Sequence, residues 1–322
     1  MKKLIIAWAA MMAFIVSAGA EDYPSRAITM IVPFAAGGPT DVLARIMAEG
    51  MRPSLGQNVL VENVTGAAGS IAVGKAVRAA PDGYTLSIGH WSTHVINGAI
   101  YKLPYDLLTD LAPISLLASN PQLIVANNTV PATDLKSLIA WIKANPDTVA
   151  AGTAGPGSAS HIGGIYFQQF SGTHFLFVPY RGTAPAMQDL IGGRIQLLLD
   201  QSSNSLPQVR NKQIKAFAVT SKTRLAAAPD IPTVDEAGLP GFYISVWQAL
   251  WAPKDTPKPI IAKLNAAVQV ALADPAVRKR LADLGQDIPP REQQTPEALH
   301  AYQKAEIEKW WPIVKAANIK LD

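Results

Sequence analysis

AITMIVPFAAGGPTDVLARIMAEGM, residues 27–51, contains in direct succession the patterns of a buried strand, a tight turn and a helix. Residues 27–32 are apolar and mostly β-branched, which predicts a buried strand. Pro33 and the glycine pair that follows it predict a turn, and apolar residues then recur at helical spacing over residues 41–51. The rest of the fold is predicted by following this strand–turn–helix alternation outward along the chain.

The alternation continues to residue 89 and then restarts. Strands are predicted at residues 58–62 and 84–89, with a helix at residues 71–80 between them. This order implies a parallel sheet with right-handed crossovers. Later strands at residues 123–127, 149–153, 173–179, 195–200 and 214–220 alternate with helices at 133–145, 158–171, 184–192 and 204–212. A helical tail follows at 257–273, 275–284 and 296–317, and each of its helices begins near a proline.

These units predict an α/β protein of two domains, each a mainly parallel sheet flanked by helices. The chain is expected to cross between the domains near residues 119–121 and again within the Pro- and Gly-rich residues 223–241. Domain 1 then comprises residues 21–120 and 242–322, and domain 2 comprises residues 121–241. Ligands of such sheets bind beyond the carboxyl ends of the strands, which in a two-domain version is the interdomain cleft.

The first twenty residues are predicted to be a secretory signal peptide. Lys2 and Lys3 precede a mostly apolar stretch at residues 4–16, and the small residues 18–20 form a cleavage site. The mature chain should begin at Glu21 and be soluble. The alternative is an uncleaved anchor helix, although the apolar stretch is shorter than the roughly 20 residues that a membrane span needs.

Composition excludes several classes of function. The chain has no cysteine, which excludes disulfides, thiolate metal sites and cysteine nucleophiles. The net charge is +4 and becomes +2 without Lys2 and Lys3, because 26 basic residues then face 24 acidic ones. No basic run suggests nucleic-acid binding. The five histidines lack metal-ligand spacing, so we expect neither a metal nor a cofactor.

Two strand-to-helix loops are candidate anion sites. In residues 33–41 (PFAAGGPTD), Gly37 and Gly38 allow backbone N–H groups to approach a ligand, and the next helix points its positive dipole end there. An ordinary glycine turn is the alternative. Residues 152–160 (GTAGPGSAS) repeat the arrangement with three glycines and several hydroxyls. Because one loop falls in each domain, both are able to close on one ligand.

Other side chains are candidates for the rest of the cleft. Arg181 either forms a bidentate pair with a carboxylate or is a surface residue in a salt bridge. Asp200, at a strand end, either accepts a hydrogen bond from a ligand hydroxyl or amine or holds a loop. Ser92, Thr93 and His94 follow the third strand and are candidates to line the cleft.

The sequence argues against catalysis. Ser158 and His161 suggest a serine hydrolase, but the G-x-S-x-G nucleophile elbow is absent. The phosphate-binding P-loop, the H-E-x-x-H zinc motif and the dinucleotide fingerprint are also missing. We therefore predict a binding protein rather than an enzyme, with a periplasmic serine hydrolase as the less favoured alternative.

Eight ordered stretches across nearly the whole mature chain resemble the Bug family, the TctC-type receptors of tripartite tricarboxylate transporters. They are YPSRAITMIVPFAAGGPTD (23–41), VENVTGAAGSIA (61–72), PDGYTL (81–86), GTAGPGSASH (152–161), VPYRGTAPAMQDLIGG (178–193), IKAFAVTS (214–221), PDIPTVDEAGLPGF (229–242) and APKDTPKPIIAKLN (252–265). The resemblance implies a two-domain periplasmic binding protein of the Venus flytrap type. One departure is Trp91, where many relatives have a small residue.

The resemblance also implies a site and a role. Backbone amides, hydroxyls and ordered waters would bind one ligand carboxylate. The implied ligand-binding residues are Phe34, Ala36, Gly37, Gly38 and Asp41 on the first loop, Thr153, Gly155, Ser158 and His161 on the second, and Ser92, His94, Arg181 and Asp200 at the distal end. The expected function is capture of a small mono- or dicarboxylate, aromatic acids included, by a periplasmic monomer that delivers it to membrane permease subunits. A sensor for a membrane kinase is the alternative.

Overall fold

The computed structural model describes residues 23–316, so the predicted signal peptide lies outside the described residues. The strands of this part are β1 Ile28–Val32, β2 Val59–Asn63, β3 Thr85–His90, β4 Leu111–Asn127, β5 Ala150–Thr153, β6 Leu176–Pro179, β7 Leu197–Gln201, β8 Ile214–Val219 and β9 Ser245–Pro253. The helices are α1 Pro39–Leu55, α2 Ser70–Val77, α3 Asn97–Ile100, α4 Leu135–Ala144, α5 Ala159–Ser171, α6 Thr183–Ile191, α7 Ser202–Arg210, α8 Lys258–Ala273, α9 Pro275–Asp283 and α10 Pro296–Ala316.

The predicted parallel units are present in both domains. In domain 1, β1 pairs in parallel with β2 on one side and β3 on the other. In domain 2, β5 pairs in parallel with β6 and β7. Helices connect these strands, as parallel pairing requires. The two-domain α/β prediction is confirmed.

Two long antiparallel strands join the domains, and the sequence did not indicate the first part of β4 or any of β9. The first part of β4 pairs with β9, whose other side pairs with β3, and the second part of β4 pairs with β7 and β8. Each sheet is therefore mixed. The sequence pattern was misleading because Pro113 and Pro121 lie within β4, and proline normally argues against a central strand. The ladder accommodates an irregularity between Pro113 and Ser115.

Strand β4 changes its pairing partners partway along its length, and this change supports the first boundary of the proposed domains. Pro121 pairs with Ser245 of β9, and the next residue, Gln122, pairs with Gln201 of β7. The second predicted crossing stays close to domain 2, since the Val234 N–H donates to the carbonyl of Val219 at 3.0 Å. We therefore propose that the chain rejoins domain 1 at the start of β9, a few residues after the predicted crossing.

Helix α1 follows the first loop, and its packing in the core fixes its position. Its residues Leu43, Met47 and Met51 recur on one face and are completely buried, each worth roughly 1.5–3 kcal/mol of burial. Pro39 occupies the first turn, where its missing N–H costs nothing. Gly50 lets α8 approach closely, because a Cβ there would lie 2.9 Å from the Cβ of Ala271. The position of the loop thus depends on the core beneath it.

The described helices were also compared with the length of a membrane span. Within residues 23–316, no single helix is both long enough and apolar enough to cross a bilayer. The pair α8 and α9 meets the length and composition limits only when taken together, and it is bent by 70° between the two helices.

Candidate functional site

A cavity lies between the domains, where strand ends and helix starts from both meet. Domain 1 contributes residues that follow β1 or end β3, and domain 2 contributes residues within β4, beyond β5, at the end of β7 and at the start of α6. The lining consists of Phe34, Pro39, Thr40, His90, Gln122, Ala154, Ser158, Ala159, Ser160, Thr183, Leu199, Asp200 and Gln201. Of the thirteen predicted site residues, the structure brings Phe34, Ser158 and Asp200 together here. The cavity occupies the place expected for ligands of α/β sheets.

The first loop presents the start of α1 to the cavity rather than its glycines. Amides in the first helical turn have no partner within the helix, and the buried Thr40, at this turn, lines the cavity. Gly38 is the residue before α1, and its N–H donates to the Ala35 carbonyl at 3.4 Å. The part of this loop that lines the cavity is therefore the helix start. Thr40 lines the cavity and was not among the predicted residues, although its place after Pro39 at a helix start was a signal.

Asp41 was predicted to contact the ligand, but the structure assigns it to the loop. Its carboxylate accepts hydrogen bonds from the Gly37 N–H at 2.8 Å, from Arg45 at 2.9 Å through two nitrogens, and from Asn63 at 2.9 Å. Burial raises the pKa of Asp41, but these hydrogen bonds outweigh burial and hold the pKa below its usual value. Asp41 stays ionised and holds the loop in shape.

Ala36 and Gly37 were also predicted to bind the ligand, and they do not line the cavity. Both are exposed on the outer side of the loop, where they border a separate shallow depression with Ala184 and Gln188. The amide of Gly37 is already occupied by Asp41. The reason is geometric: Gly37 has φ of +80°, and the turn it makes directs the loop outward before α1 begins.

In the second loop, hydroxyl groups face the cavity. The Ser158 hydroxyl caps α5 by accepting the His161 N–H at 3.3 Å. It also lies 3.1 Å from the Ser160 hydroxyl, which accepts the Ala154 N–H at 2.9 Å. Ser158 and Ser160 line the cavity, and the hydroxyl that does not donate within this pair keeps its O–H for another acceptor. The start of α5 thus faces the start of α1 across the cavity.

Three other predicted residues shape this loop and do not line the cavity. The Thr153 hydroxyl accepts the Gly155 N–H at 3.2 Å, and Gly155 has φ of +97°, which favours glycine. The Nδ1 of His161 accepts the Gly157 N–H at 3.0 Å, and its ring packs edge-on against Phe177. Burial lowers the pKa of His161 to about 4, so the ring is neutral. Within residues 23–316, no hydrogen bond links this imidazole to the Ser158 hydroxyl, so a Ser–His catalytic pair is not formed.

The residues predicted after the third strand belong to the core instead. His94 is completely buried, stacks on Trp251 with ring centroids 3.7 Å apart, and lies 2.9 Å from the Thr93 hydroxyl. Ser92 is also completely buried and bonds to His90. Both residues lie in a π-helical turn over Ser92–Ile96, and neither lines the cavity.

His90 takes the place that was expected for His94. It is the last residue of β3, lines the cavity and stacks on Phe34 with centroids 5.1 Å apart. Its Nδ1 accepts the backbone N–H of Ser92 at 3.2 Å, so the proton of the neutral ring is on Nε2. Burial lowers the pKa of His90 to about 3. His90 is therefore a neutral N–H donor. The sequence signal that could have identified it is its position at the carboxyl end of a parallel strand.

Asp200 is the acidic group of the cavity. It is buried at the end of β7, and its Oδ2 accepts hydrogen bonds from Asn204 at 2.6 Å and Ser205 at 2.9 Å. Burial raises the pKa of Asp200 to about 6, although these hydrogen bonds act against the rise. Arg181, predicted as a carboxylate partner, is exposed and does not line the cavity. Thr183, missed by the sequence analysis, lines it at the start of α6, a third helix start.

Direct hydrogen bonds join the two domains, and two of them connect loops beside the cavity. The Ala35 N–H of domain 1 donates to the Arg181 carbonyl of domain 2 at 3.1 Å. On the opposite side, the Tyr101 hydroxyl donates to the Pro156 carbonyl at 2.6 Å. Arg181 thus contributes through its backbone rather than its guanidinium. These contacts exist only while the two loops face each other closely.

We expect Tyr101→Phe to weaken ligand affinity about 2- to 10-fold, because it removes one hydrogen bond of the closed arrangement, worth about 0.5–1.5 kcal/mol. Tyr105→Phe is the matched control, since the Tyr105 hydroxyl donates to the Ser70 carbonyl at 2.9 Å within domain 1. Isothermal titration of both variants measures the difference. Equal losses in both would refute a role of Tyr101 in closure.

Comparison with known proteins identifies the family. The model of the "Tripartite tricarboxylate transporter family receptor" matches residues 43–319. The periplasmic binding protein BugD is 41% identical, with a TM-score of 0.89 over 92% of this chain and 99% of that one. MatC from Rhodopseudomonas palustris, solved with bound malate, is 40% identical, with a TM-score of 0.87 over 91% and 100%. An R. palustris protein solved with adipate is 32% identical, with a TM-score of 0.88 over 93% and 99%. The chain therefore belongs to the TctC-type receptors, the Bug family of periplasmic solute-binding proteins.

Proposed function

We propose that this receptor captures a small organic mono- or dicarboxylate in the interdomain cavity and delivers it to the permease subunits of a tripartite transporter in the membrane. The periplasm is its proposed location, as it is for its family, and it acts as a monomer. The bound malate and adipate of two similar structures support a carboxylate ligand. Delivery to a permease is supported by the family to which the chain belongs.

The observation that carries this proposal is a set of neutral donors facing one space. The start of α1 at Thr40 and the start of α5 at Ser158 lie on opposite sides of the cavity, and His90 adds a neutral N–H. Helix starts bind anions through free amides and the positive end of the helix dipole. Among the described lining residues none is Lys or Arg. A carboxylate is thus bound here by hydrogen bonds rather than by an ion pair.

The proposal is tested by isothermal titration of the purified protein against acetate, propionate, succinate, malate, adipate, benzoate and nicotinate. We expect at least one acid to bind in the micromolar range or tighter. Benzoate and nicotinate decide whether aromatic acids are included. If the folded protein binds none of these acids, nor the amino acids tested below, carboxylate capture is contradicted.

A serine variant tests the site itself. Ser158→Ala removes a hydroxyl that lines the cavity, and we expect about a 10-fold loss of affinity for the tightest acid, the size of one charge-assisted hydrogen bond. Ser221→Ala is the matched control, because its exposed hydroxyl bonds only to the Thr223 carbonyl. Uptake of the labelled acid by cells that lack the receptor, restored by wild type but not by Ser158→Ala, tests delivery. Binding without restored uptake would favour a sensor.

A further inference from the structure

The cavity has an acceptor on one side that no protein group satisfies. Asp200 is 1% exposed and lines the cavity. Within residues 23–316, its Oδ1 has no hydrogen-bond partner, and no salt bridge includes this carboxylate. The Thr183 hydroxyl and the Gln201 N–H lie near enough to lower the pKa of Asp200 without completing such a bond. A buried acceptor left unsatisfied costs about 1–3 kcal/mol, and more when it is charged.

The free oxygen cannot turn away from the cavity to find a partner. Oδ2 is held by Asn204 and Ser205, at 2.6 and 2.9 Å. Those two donors start α7, so the carboxylate plane is fixed by the helix that follows β7. The orientation of Oδ1 is therefore set before any ligand arrives.

The other buried acceptor of the lining does not compete for this role. Gln122 donates from Nε2 to the Ala159 carbonyl at 2.8 Å, which fixes the orientation of its amide. Its Oε1 lies tightly against α5, because a Cβ on Gly163 would be only 2.2 Å from it. Asp200 is thus the acceptor that a ligand is best placed to satisfy.

We propose that the ligand of this cavity is a carboxylate that also carries an N–H or O–H donor, an amino acid or a hydroxy acid, and that Oδ1 of Asp200 accepts this donor. This inference rests on the proposed function, since the carboxylate itself lies at Thr40, Ser158 and His90. The cavity is polarised: donors from the helix starts face one acceptor at the end of β7. A ligand with a second ionised carboxylate at Asp200 would meet like charge, which disfavours binding.

Acids that share a carbon skeleton test this inference. Each set contains a parent acid and its 2-hydroxy and 2-amino derivatives: propionate, lactate and alanine; succinate, malate and aspartate; glutarate, 2-hydroxyglutarate and glutamate. In at least one set we expect the donor-bearing acid to bind about 10-fold or more tightly than its parent, because a site built for a hydrogen bond rejects analogues that lack the donor. The hydroxy and amino members distinguish a neutral donor from a cationic one.

A variant reverses the expected preference. In Asp200→Asn, Asn204 and Ser205 keep the amide oxygen on their side, so an NH₂ group replaces Oδ1 toward the cavity. We expect donor-bearing acids to lose about 10-fold in affinity while their parents keep or improve theirs. Asp189→Asn is the matched control, since Asp189 bonds to Tyr180 and Arg194 outside the cavity.

The outcomes separate the two claims. If parents and derivatives bind wild type equally within every set, the donor inference is overturned while carboxylate capture stands. If wild type prefers donor-bearing acids but Asp200→Asn keeps that preference, Asp200 is not the acceptor. If no acid of any set or of the earlier panel binds, carboxylate capture fails and the inference fails with it. The wild-type comparison needs no variant, so a folding defect in Asp200→Asn would not prevent the test.

Discussion

Lowering the pH from 7 to 5 is expected to reduce the free energy of unfolding by roughly 4–5 kcal/mol. His90, His94 and His161 are buried and neutral in the folded protein, and burial lowers the pKa of each, to about 3 for His90 and about 4 for His161. The unfolded chain takes up these protons near pH 6.5. Their stabilisation is therefore present above pH 6.5 and is lost as the pH falls toward the folded-state values.

The titration of Asp200 opposes that of the three histidines and contributes a smaller free energy. Each histidine loses about 2 kcal/mol over this interval, since a proton bound only by the unfolded state costs about 1.4 kcal/mol per pH unit. Asp200 works in the other direction, because its pKa is raised to about 6 and the folded state gains its proton as the pH falls. Its gain is about 1 kcal/mol by the same relation. Three histidines outweigh one aspartate, so acid destabilises.

Chemical denaturation followed by circular dichroism at pH 7.5, 6.5, 5.5 and 5.0 measures this dependence. His94→Phe keeps the stacking on Trp251 and should flatten the slope by about one proton. His174→Gln is the control for replacing a histidine, because His174 is exposed rather than buried. A free energy of unfolding that is constant between pH 7 and pH 5 would contradict the expected cost of keeping three neutral histidines.

Gly182→Val is expected to lower ligand affinity by about 100-fold or more without preventing folding. Gly182 precedes α6 in domain 2, and a Cβ there would lie 3.0 Å from the Ala35 nitrogen and 3.2 Å from the Ala35 Cβ in domain 1. Its backbone is extended, with φ of 160°, so valine strains nothing within domain 2. The clash exists only when the domains are closed, and it also separates the Ala35 N–H from the Arg181 carbonyl.

The size of this effect follows from population shift. Ligand affinity falls in proportion to the fraction of molecules that can close, and about 2.7 kcal/mol of steric cost lowers that fraction about 100-fold. Titration with the tightest acid gives the affinity, and small-angle scattering with saturating ligand reports whether the domains close. Gly192→Ala, at the other end of α6, is the control, because its Cβ contacts only α6 itself. A Gly182→Val protein that binds as tightly as wild type would show that closure does not require this contact.

Much of the fold could be predicted because its signals are local. The strand β1, the helix α1 and the parallel units that follow were indicated by periodicity and by glycine and proline positions, within a few residues of the observed bounds. The first part of β4 and all of β9 were missed. The pairing of β4 with β9 is antiparallel and joins residues more than one hundred positions apart, such as Pro121 and Ser245. Because these residues are distant in sequence, no local pattern indicates their pairing.

The site could be predicted only in outline. The two loops and their helix starts were located correctly in the fold, but which atoms point inward depends on neighbours distant in sequence. Asp41 was expected to contact the ligand, yet Asn63 and Arg45 bind its carboxylate and keep it in the loop. Arg181 has the right chemistry for a carboxylate, but its side chain points to solvent and only its carbonyl is used.

The sequence by itself determined that this chain is a two-domain receptor with facing helix starts, because strand–glycine turn–helix units carry their own signals and recur in order. Tertiary structure alone decided which side chains line the cavity between them. Side chains alternate across a strand, so the position at which a strand ends fixes which histidine faces the cavity. Strand β3 ends at His90 and a π-helical turn follows it, so His94 lies in the core and stacks on Trp251. The loop at residues 33–41 thus lines the cavity with the start of α1 at Thr40, while its glycines shape the turn that places it there.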